Sequence, residues 1–327
     1  MDDSLIHQLE RETRHRACVL GQRLAILGAT PVAAQLVGML HSEGLDSRLV
    51  GVFDHRKVPS AAEHFHPMEA IVDQDLDVII VADDAGKEEL LLAFQRVDSR
   101  LPEVVICGTG HFDFRDSHFE ALLHSSVGVS LANGYPYSLV HLYQCLQHAA
   151  RHRLEGHIAE FGVFKGGTTV LLAKFAEHFG LRGTRIFGFD TFGGFPPRRS
   201  VLDLYDRPGC VFTDFDAVRR LCAPYPSIEL VRGDIVETSK RLAGLPLILT
   251  FFDTDNYTPT RAALGMCIEQ TVVGGSIVFD HYTSIERFTY TLGERMAAKE
   301  AFEDADFFHL HGTGVFTKTA PTRGARS

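Results

Sequence analysis

No stretch of these 327 residues approaches about 18 consecutive apolar positions, which excludes a membrane-spanning helix. The opening Met1-Asp-Asp-Ser-Leu-Ile-His7 is acidic and has no apolar core, so no secretory signal is expected. Basic residues are the minority charge: 32 Lys and Arg stand against 42 Asp and Glu, for a formal net charge of -10. That argues against a nucleic-acid partner, because phosphate binding needs a positive surface. The six cysteines (18, 107, 145, 210, 222 and 267) include no CxxC pair and no tight framework. They read as reduced, buried thiols of a cytoplasmic protein. Internal repeats and low-complexity segments are missing. Tryptophan is absent as well, and that excludes nothing.

What is present is enough apolar material for sizeable cores. At 45% hydrophobic, with a mean hydropathy of +0.01, the chain is globular, and its length suggests two domains. Residues 1–20 read as a charged amphipathic leader helix. Short apolar strands at Leu24–Leu27, Arg48–Phe53, Val78–Val81 and Glu103–Cys107 then alternate with helical patterns at Val32–Ser42 and Lys87–Asp98. Continuous apolar strands between helices imply a parallel sheet covered on both faces. Gly and Pro break the pattern over 125–137, so the boundary is expected near 130. A helix over about 138–152 leads into a second alternation, with strands near 157–161, 185–190, 228–231, 247–252 and 274–279 and a hairpin over 306–316. The expectation is α/β with two doubly wound domains: a Rossmann-like domain over 1–130, a seven-stranded domain over 131–320, and a flexible tail over 321–327.

The most informative stretch is Glu160-Phe-Gly-Val-Phe-Lys-Gly-Gly-Thr168. An apolar strand carrying an acid runs into a glycine-spaced turn, a helix follows, and the next strand ends at Asp190. Strand, glycine turn, helix, strand and Asp is the arrangement that holds a ribose beside a helix N-terminus. Gly162, Gly166 and Gly167 supply the close backbone approach, with Val163 and Thr168 beside them. Their G-x-x-x-G-G spacing is looser than the dinucleotide fingerprint. With Glu160 ahead of it, the turn suits a nucleoside bearing a cation, such as S-adenosylmethionine, whose ammonium Glu160 attracts. Asp190, followed by Thr191, can accept from both ribose hydroxyls; the alternative is an Asp that caps Gly193-Gly194. Asp234, after the strand at 228–231, can meet an adenine edge or sit in a surface turn.

Two further strands end in acids, at Asp253-Thr-Asp255-Asn-Tyr257 and at Asp280-His281-Tyr282. In an open parallel sheet the carboxyl ends of the strands line one crevice. On neighbouring strands, roughly 5 Å apart, Asp253 and Asp280 face one another. Two close carboxylates repel unless a cation intervenes. A divalent ion such as Mg²⁺ takes oxygen ligands, with His281 as a third ligand. Asp255 is a candidate general base toward a substrate hydroxyl, or alternatively a helix cap.

Taken in order, five segments resemble the macrocin-type (TylF-type) O-methyltransferases, a class I S-adenosylmethionine-dependent family. They are Glu160–Gly167, Phe189–Pro196, Arg232–Thr238, Asp253–Thr260 and Val273–Tyr282, within a likeness that covers roughly 135–318. The resemblance implies methylation of a sugar hydroxyl on a natural product, with a divalent metal held by three acids. Asp253 and Asp280 then become metal ligands and Asp255 the base, with Asp253 also beside the cofactor. The third acid position holds His281, which favours softer ions such as Mn²⁺, Fe²⁺ or Zn²⁺. If that change disables the site, the chain is a cofactor-binding partner protein instead.

The N-terminal half lies outside the resemblance. Its turn Gly28-Ala-Thr-Pro-Val-Ala33 keeps only the first fingerprint glycine, with Asp54 at the ribose-binding strand end. It reads as a degenerate scaffold, a docking module or a homodimerisation domain; nicotinamide binding through Gly28 and Asp54 is the alternative. His64 and His66 are expected in a loop, His309 and His311 on one face of a strand, and Pro196–Thr213 as a lid whose arginines either suit an anionic acceptor or, the preferred reading, belong to a solvated loop. The expected partner is a small molecule, with neither nucleic acid nor membrane.

Overall fold

The computed structural model describes residues 3–56, 64–106, 108, 114, 116–126, 128, 130, 132, 137–283, 290–302 and 306–321. Cys107, residues 133–136 of the Gly- and Pro-punctuated stretch, and the tail from 322 fall outside them. The chain divides into two compact units, Met1–His111 and Phe112–Ser327, against a pattern change near 130 in the sequence. The helix Ser117–His124 belongs with the second unit, where Phe119 is buried against Tyr143 and Phe175.

In the first unit five parallel strands, β1 (Leu24–Leu27), β2 (Leu49–Asp54), β3 (Phe65–Pro67), β4 (Val78–Val81) and β5 (Glu103–Ile106), lie in the order β3-β2-β1-β4-β5. Successive side chains point to opposite faces. Leu24 and Ile26 pack with Leu9 of α1 (Asp3–Arg14) and with Leu36 and Leu40 of α2 (Pro31–Ser42). Ala25 and Leu27 pack instead with Leu90 and Phe94 of α3 (Lys87–Val97). Both faces are therefore covered, as the unbroken apolar strands require. The segment read as a loop around His64 and His66 is an edge strand, Val52–Asp54 pairing with Phe65–Pro67. Three residues ending in a proline carry no period to read.

The second unit comprises α4 (Ser117–His124), α5 (Ser138–Arg151), β6 (His157–Phe161), α6 (Gly167–His178), β7 (Ile186–Asp190), α7 (Phe215–Cys222), β8 (Ile228–Arg232), α8 (Ile235–Thr238), β9 (Leu247–Phe252), α9 (Tyr257–Gln270), β10 (Thr271–Phe279), α10 (Leu292–Ala301), β11 (Phe307–His309) and β12 (Val315–Lys318). Seven strands lie in the order β11-β12-β10-β9-β6-β7-β8. β12 is antiparallel to both neighbours, and the other pairings are parallel. β11 ends at His309, so His311 does not share its face. The His309 ring stacks on Phe316 at 4.3 Å, a packing role.

The register of the central strands positions the site. Phe161 pairs with Phe189 on one side and Phe252 on the other, and Phe252 pairs with Phe279. Their rings stack in that order, with centroids 4.7, 5.0 and 5.1 Å apart, and all four are buried. Because the phenylalanines stand level, the residues that follow them, Gly162, Asp190, Asp253 and Asp280, also stand in one row at the carboxyl edge. Gly162 N, Asp253 N and Asp280 N each continue the sheet ladder for one more rung at 2.9 Å. Strand order reverses between β6 and β9, and in such sheets the ligand crevice opens there.

The five described cysteines are all free thiols. Cys222 and Cys267 are buried, as expected, but Cys18 and Cys210 are exposed. Among the described residues, no helix is long and apolar enough to cross a membrane.

Candidate functional site

The crevice over β6 and β9 holds a cavity of about 360 Å³. Gly162, Val163, Gly167, Thr168, Asp190, Thr191, Asp234, Asp253, Asp255 and His281 all line it. Gly162 has φ +98°, and a Cβ there would stand 2.0 Å from the Asp253 carbonyl oxygen, so the two strand ends meet only because this residue is glycine. Gly166, at φ +83°, starts α6. It lies outside the cavity lining, against Val218 and Leu221 of α7.

Glu160 also lies outside the lining. It is wholly buried, and its Oε2 accepts from Thr169 Oγ1 while Oε1 has no hydrogen-bond partner. Burial pushes its carboxyl up to about 8, the Thr169 bond opposing that and Asp253 adding to it. Asp190 Oδ2 accepts from Phe164 N at 2.9 Å, and Oδ1 accepts from Phe192 N at 2.8 Å. It thus shapes both turns, and Thr191 Oγ1 lies 3.4 Å from Oδ1. Asp234 caps α8 through Val236 N at 3.0 Å and pairs with Arg199 of the long loop.

Asp253, Asp255 and Asp280 converge on one imidazole. His281 Nε2 is 3.4 Å from Asp253 Oδ1, 3.1 Å from Asp255 Oδ1 and 3.5 Å from Asp280 Oδ2. Burial alone would lower the His281 pKa, but hydrogen bonds to Asp253 and Asp255 and the nearby Glu294 outweigh it and push the pKa up to about 12. Burial raises Asp253, with His281 working against that. One donor atom from each of Asp253, Asp280 and His281 lies within 4.8 Å of the others. Asp280 is the buried end of the row and does not line the cavity. The cap of α9 is Asn256 rather than Asp255, which leaves the Asp255 side chain to the cluster.

Phe164, Phe192 and Asp255 have φ of 51°, 46° and 62°. Such conformations cost a non-glycine residue about 1–3 kcal/mol and gather where a site over-determines the backbone.

Sequence reasoning missed Glu294. Its side chain is wholly buried under the cluster. Oε2 accepts from Thr254 N at 2.9 Å, Thr254 Oγ1 at 3.3 Å and Asp255 N at 3.2 Å, and Oε1 accepts from His281 N at 3.0 Å. Burial pushes its carboxyl up to about 8, with His281 opposing. Thr291-Leu-Gly-Glu294 reads as a local helix cap, and nothing in the sequence says that its partners lie on two strand ends.

The long loop over 196–213 is stitched to the same strand end. Asp203 Oδ1 accepts from Thr258 N at 2.8 Å and Oδ2 from Thr258 Oγ1 at 2.7 Å. Asn256 and the Tyr205 backbone exchange two hydrogen bonds, each 2.9 Å.

The N-terminal turn is differently occupied. Asp54 Oδ2 accepts from Ala29 N at 2.8 Å, and both carboxylate oxygens accept from Arg56. The residue that a nicotinamide nucleotide would need is thus engaged by the protein itself.

A parallel sheet with a glycine-floored crevice and an acid row at its carboxyl edge defines a nucleoside-cofactor enzyme of the doubly wound class. The chain belongs to the macrocin O-methyltransferase (TylF) family, whose model matches residues 136–318, more than half of its length. It is therefore an S-adenosylmethionine-dependent O-methyltransferase. Solved structures similar to it include the O-methyltransferase NovP, at 21% identity and TM-score 0.48 over 56% of this chain and 79% of that one. CalS11, a calicheamicin methyltransferase, matches at 24% identity and TM-score 0.45 over 55% of this chain and 77% of that one. A putative caffeoyl-CoA O-methyltransferase from Staphylococcus aureus matches at 10% identity and TM-score 0.40, over 62% and 93%. No curated protein matches the chain.

Proposed function

We propose that the chain methylates a hydroxyl of a sugar or a sugar-bearing natural product at the Asp253–Asp255–His281 end of the cavity. The observation that carries this is the meeting of three carboxylates and one imidazole beside a glycine-floored pocket. S-adenosylmethionine supplies an electrophilic methyl group when bound. Gly162, Val163, Gly167 and Thr168 cradle it, Asp190 and Thr191 take the ribose, and Asp234 faces the adenine. Glu160, wholly buried outside the lining, braces the turn through Thr169, and Gly166 sets the bend from behind. Asp255 accepts the proton of the acceptor hydroxyl, a role typically worth 10²–10⁴-fold in rate. Asp253 holds the acceptor oxygen over the cofactor side of the pocket, where positioning dominates an in-line displacement.

The donor set Asp253, Asp280 and His281 fits a divalent cation, with two carboxylates and one imidazole within 4.8 Å. Such an ion orients vicinal acceptor oxygens and lowers a hydroxyl pKa. A second reading drops the metal, because His281 Nε2 already lies within 3.5 Å of all three aspartates and neutralises their repulsion. The N-terminal unit is proposed as a docking or dimerisation module, with Asp54 locked by Arg56.

The test is transfer of tritiated methyl from S-adenosylmethionine to macrocin, free deoxysugars and nucleotide-activated sugars, before and after dialysis against EDTA. Transfer to a sugar hydroxyl is expected. Loss with EDTA and recovery with Mn²⁺ favours the metal; indifference to EDTA favours the imidazole alone. A wild-type protein that fails to bind S-adenosylhomocysteine in calorimetry overturns the assignment of the pocket.

A further inference from the structure

We infer that Glu294 is a positioning residue that clasps the two strand-end loops into one transfer site; this rests on the reading of Asp253, Asp255 and His281 given above. The loop after β9 carries Asp253 and Asp255, and the loop after β10 carries Asp280 and His281. Across the described residues, the single carboxylate of Glu294 accepts backbone hydrogen bonds from both, through Thr254 N and Asp255 N on one oxygen and His281 N on the other. Asp255 needs such a hold, since it sits at φ 62°, outside the conformations an L-residue prefers.

The helix that delivers the clasp is held by its own glycine. A Cβ on Gly293 would stand 2.3 Å from Leu202 O and 2.6 Å from Tyr257 N. The first turn of α10 therefore lies flush against the long loop at Leu202 and the start of α9 at Tyr257. Glu294 sits in that first turn, where the helix dipole favours an acid. Its carboxylate is directed at the neighbouring loops, although the spacing from Thr291 would also suit a local cap.

Glu294→Gln tests the clasp. Three donors converge on Oε2, so the amide oxygen keeps that place and the NH₂ group meets the His281 N–H, donor against donor. In hydrogen exchange the His281 amide is expected to exchange at least about tenfold faster, and that of Thr254 to stay within about threefold. In methyl transfer to macrocin, or to the acceptor found by the panel above, kcat is expected to fall about tenfold or more. The KM for S-adenosylmethionine and the calorimetric Kd for S-adenosylhomocysteine stay within about twofold, because uniform binding is untouched. Unchanged exchange at His281, or cofactor affinity falling in step with kcat, overturns the inference. If the variant fails to fold, Glu294→Asp, one methylene too short to span both loops, is expected to speed exchange at His281 or at Thr254 and to lower kcat with cofactor affinity kept, and unchanged exchange at both amides overturns the inference. A wild type with no turnover counts against the transfer reading, whereas the exchange data still report on the clasp.

Discussion

Gly162→Ala strikes the point where the two central strands meet. The added methyl would stand 2.0 Å from the Asp253 carbonyl oxygen, and real Cβ contacts stay beyond 3.0 Å, so that carbonyl must retreat by about 1 Å. Alanine must also hold φ +98°, at about 1–2 kcal/mol, and forced overpacking adds about 1–3 kcal/mol. The sum is about 2–5 kcal/mol, which for a unit of this size lowers Tm by about 4–20 °C. The functional loss is expected to be larger, since a shift of about 1 Å in a positioned group costs on the order of 10²-fold in rate. Calorimetry with S-adenosylhomocysteine, a thermal melt and the tritium-transfer assay together measure it. A variant with wild-type Tm, affinity and turnover would refute the close approach of β6 and β9.

Asp255→Asn removes the proposed base, so transfer is expected to fall about 10²–10⁴-fold, and Asp253→Ala likewise, with S-adenosylhomocysteine affinity largely kept; wild-type turnover in either variant contradicts the assigned role. Asp54→Asn reports on the N-terminal unit. Burial would raise the Asp54 carboxyl, but hydrogen bonds from Arg56 and Ala29 N overcome this and hold it at about 2. A depressed carboxyl stabilises the fold fully above its unfolded pKa of about 3.9 and loses that contribution as pH falls through about 2. Since Arg56 is half in solvent, about 1–2 kcal/mol is expected. Urea unfolding should therefore separate wild type from variant at pH 7 and not below about pH 2, and an equal gap at both would refute the pairing. Asn256→Ala deletes two hydrogen bonds to the Tyr205 backbone, at about 0.5–1.5 kcal/mol each, and trypsin should then cut faster at Arg198 and Arg199; unchanged cleavage would mean that the loop is held by other contacts.

Much of the fold was legible because most strands are largely apolar runs, and those at the crevice stop at a Gly or an acid. The runs ending at Phe161, Phe252 and Phe279 marked the crevice, and the residue after each one named the row. What stayed hidden depends on partners distant in sequence. Glu294 reads as a helix cap, and its partners lie 13 to 40 residues away. Asn256 is one polar residue of a turn in the sequence, yet it pairs with Tyr205, 51 residues earlier. Glu160 was legible as an acid at a strand end, whereas its burial under the turn depends on the packing of α6. The edge strand Phe65–Pro67 and helix α4 are short, and neither carries enough period to stand out from a loop.

The stitching of the long loop onto the Asp255 turn has a consequence for engineering. A chimera that borrows this loop from a relative, to redirect the enzyme to another acceptor, would lose Asp203 and the Tyr205 backbone that grip Thr258 and Asn256. The graft and the first turn of α9 must be exchanged as one cassette, or the new loop will tug Asp255, the proposed base, out of line.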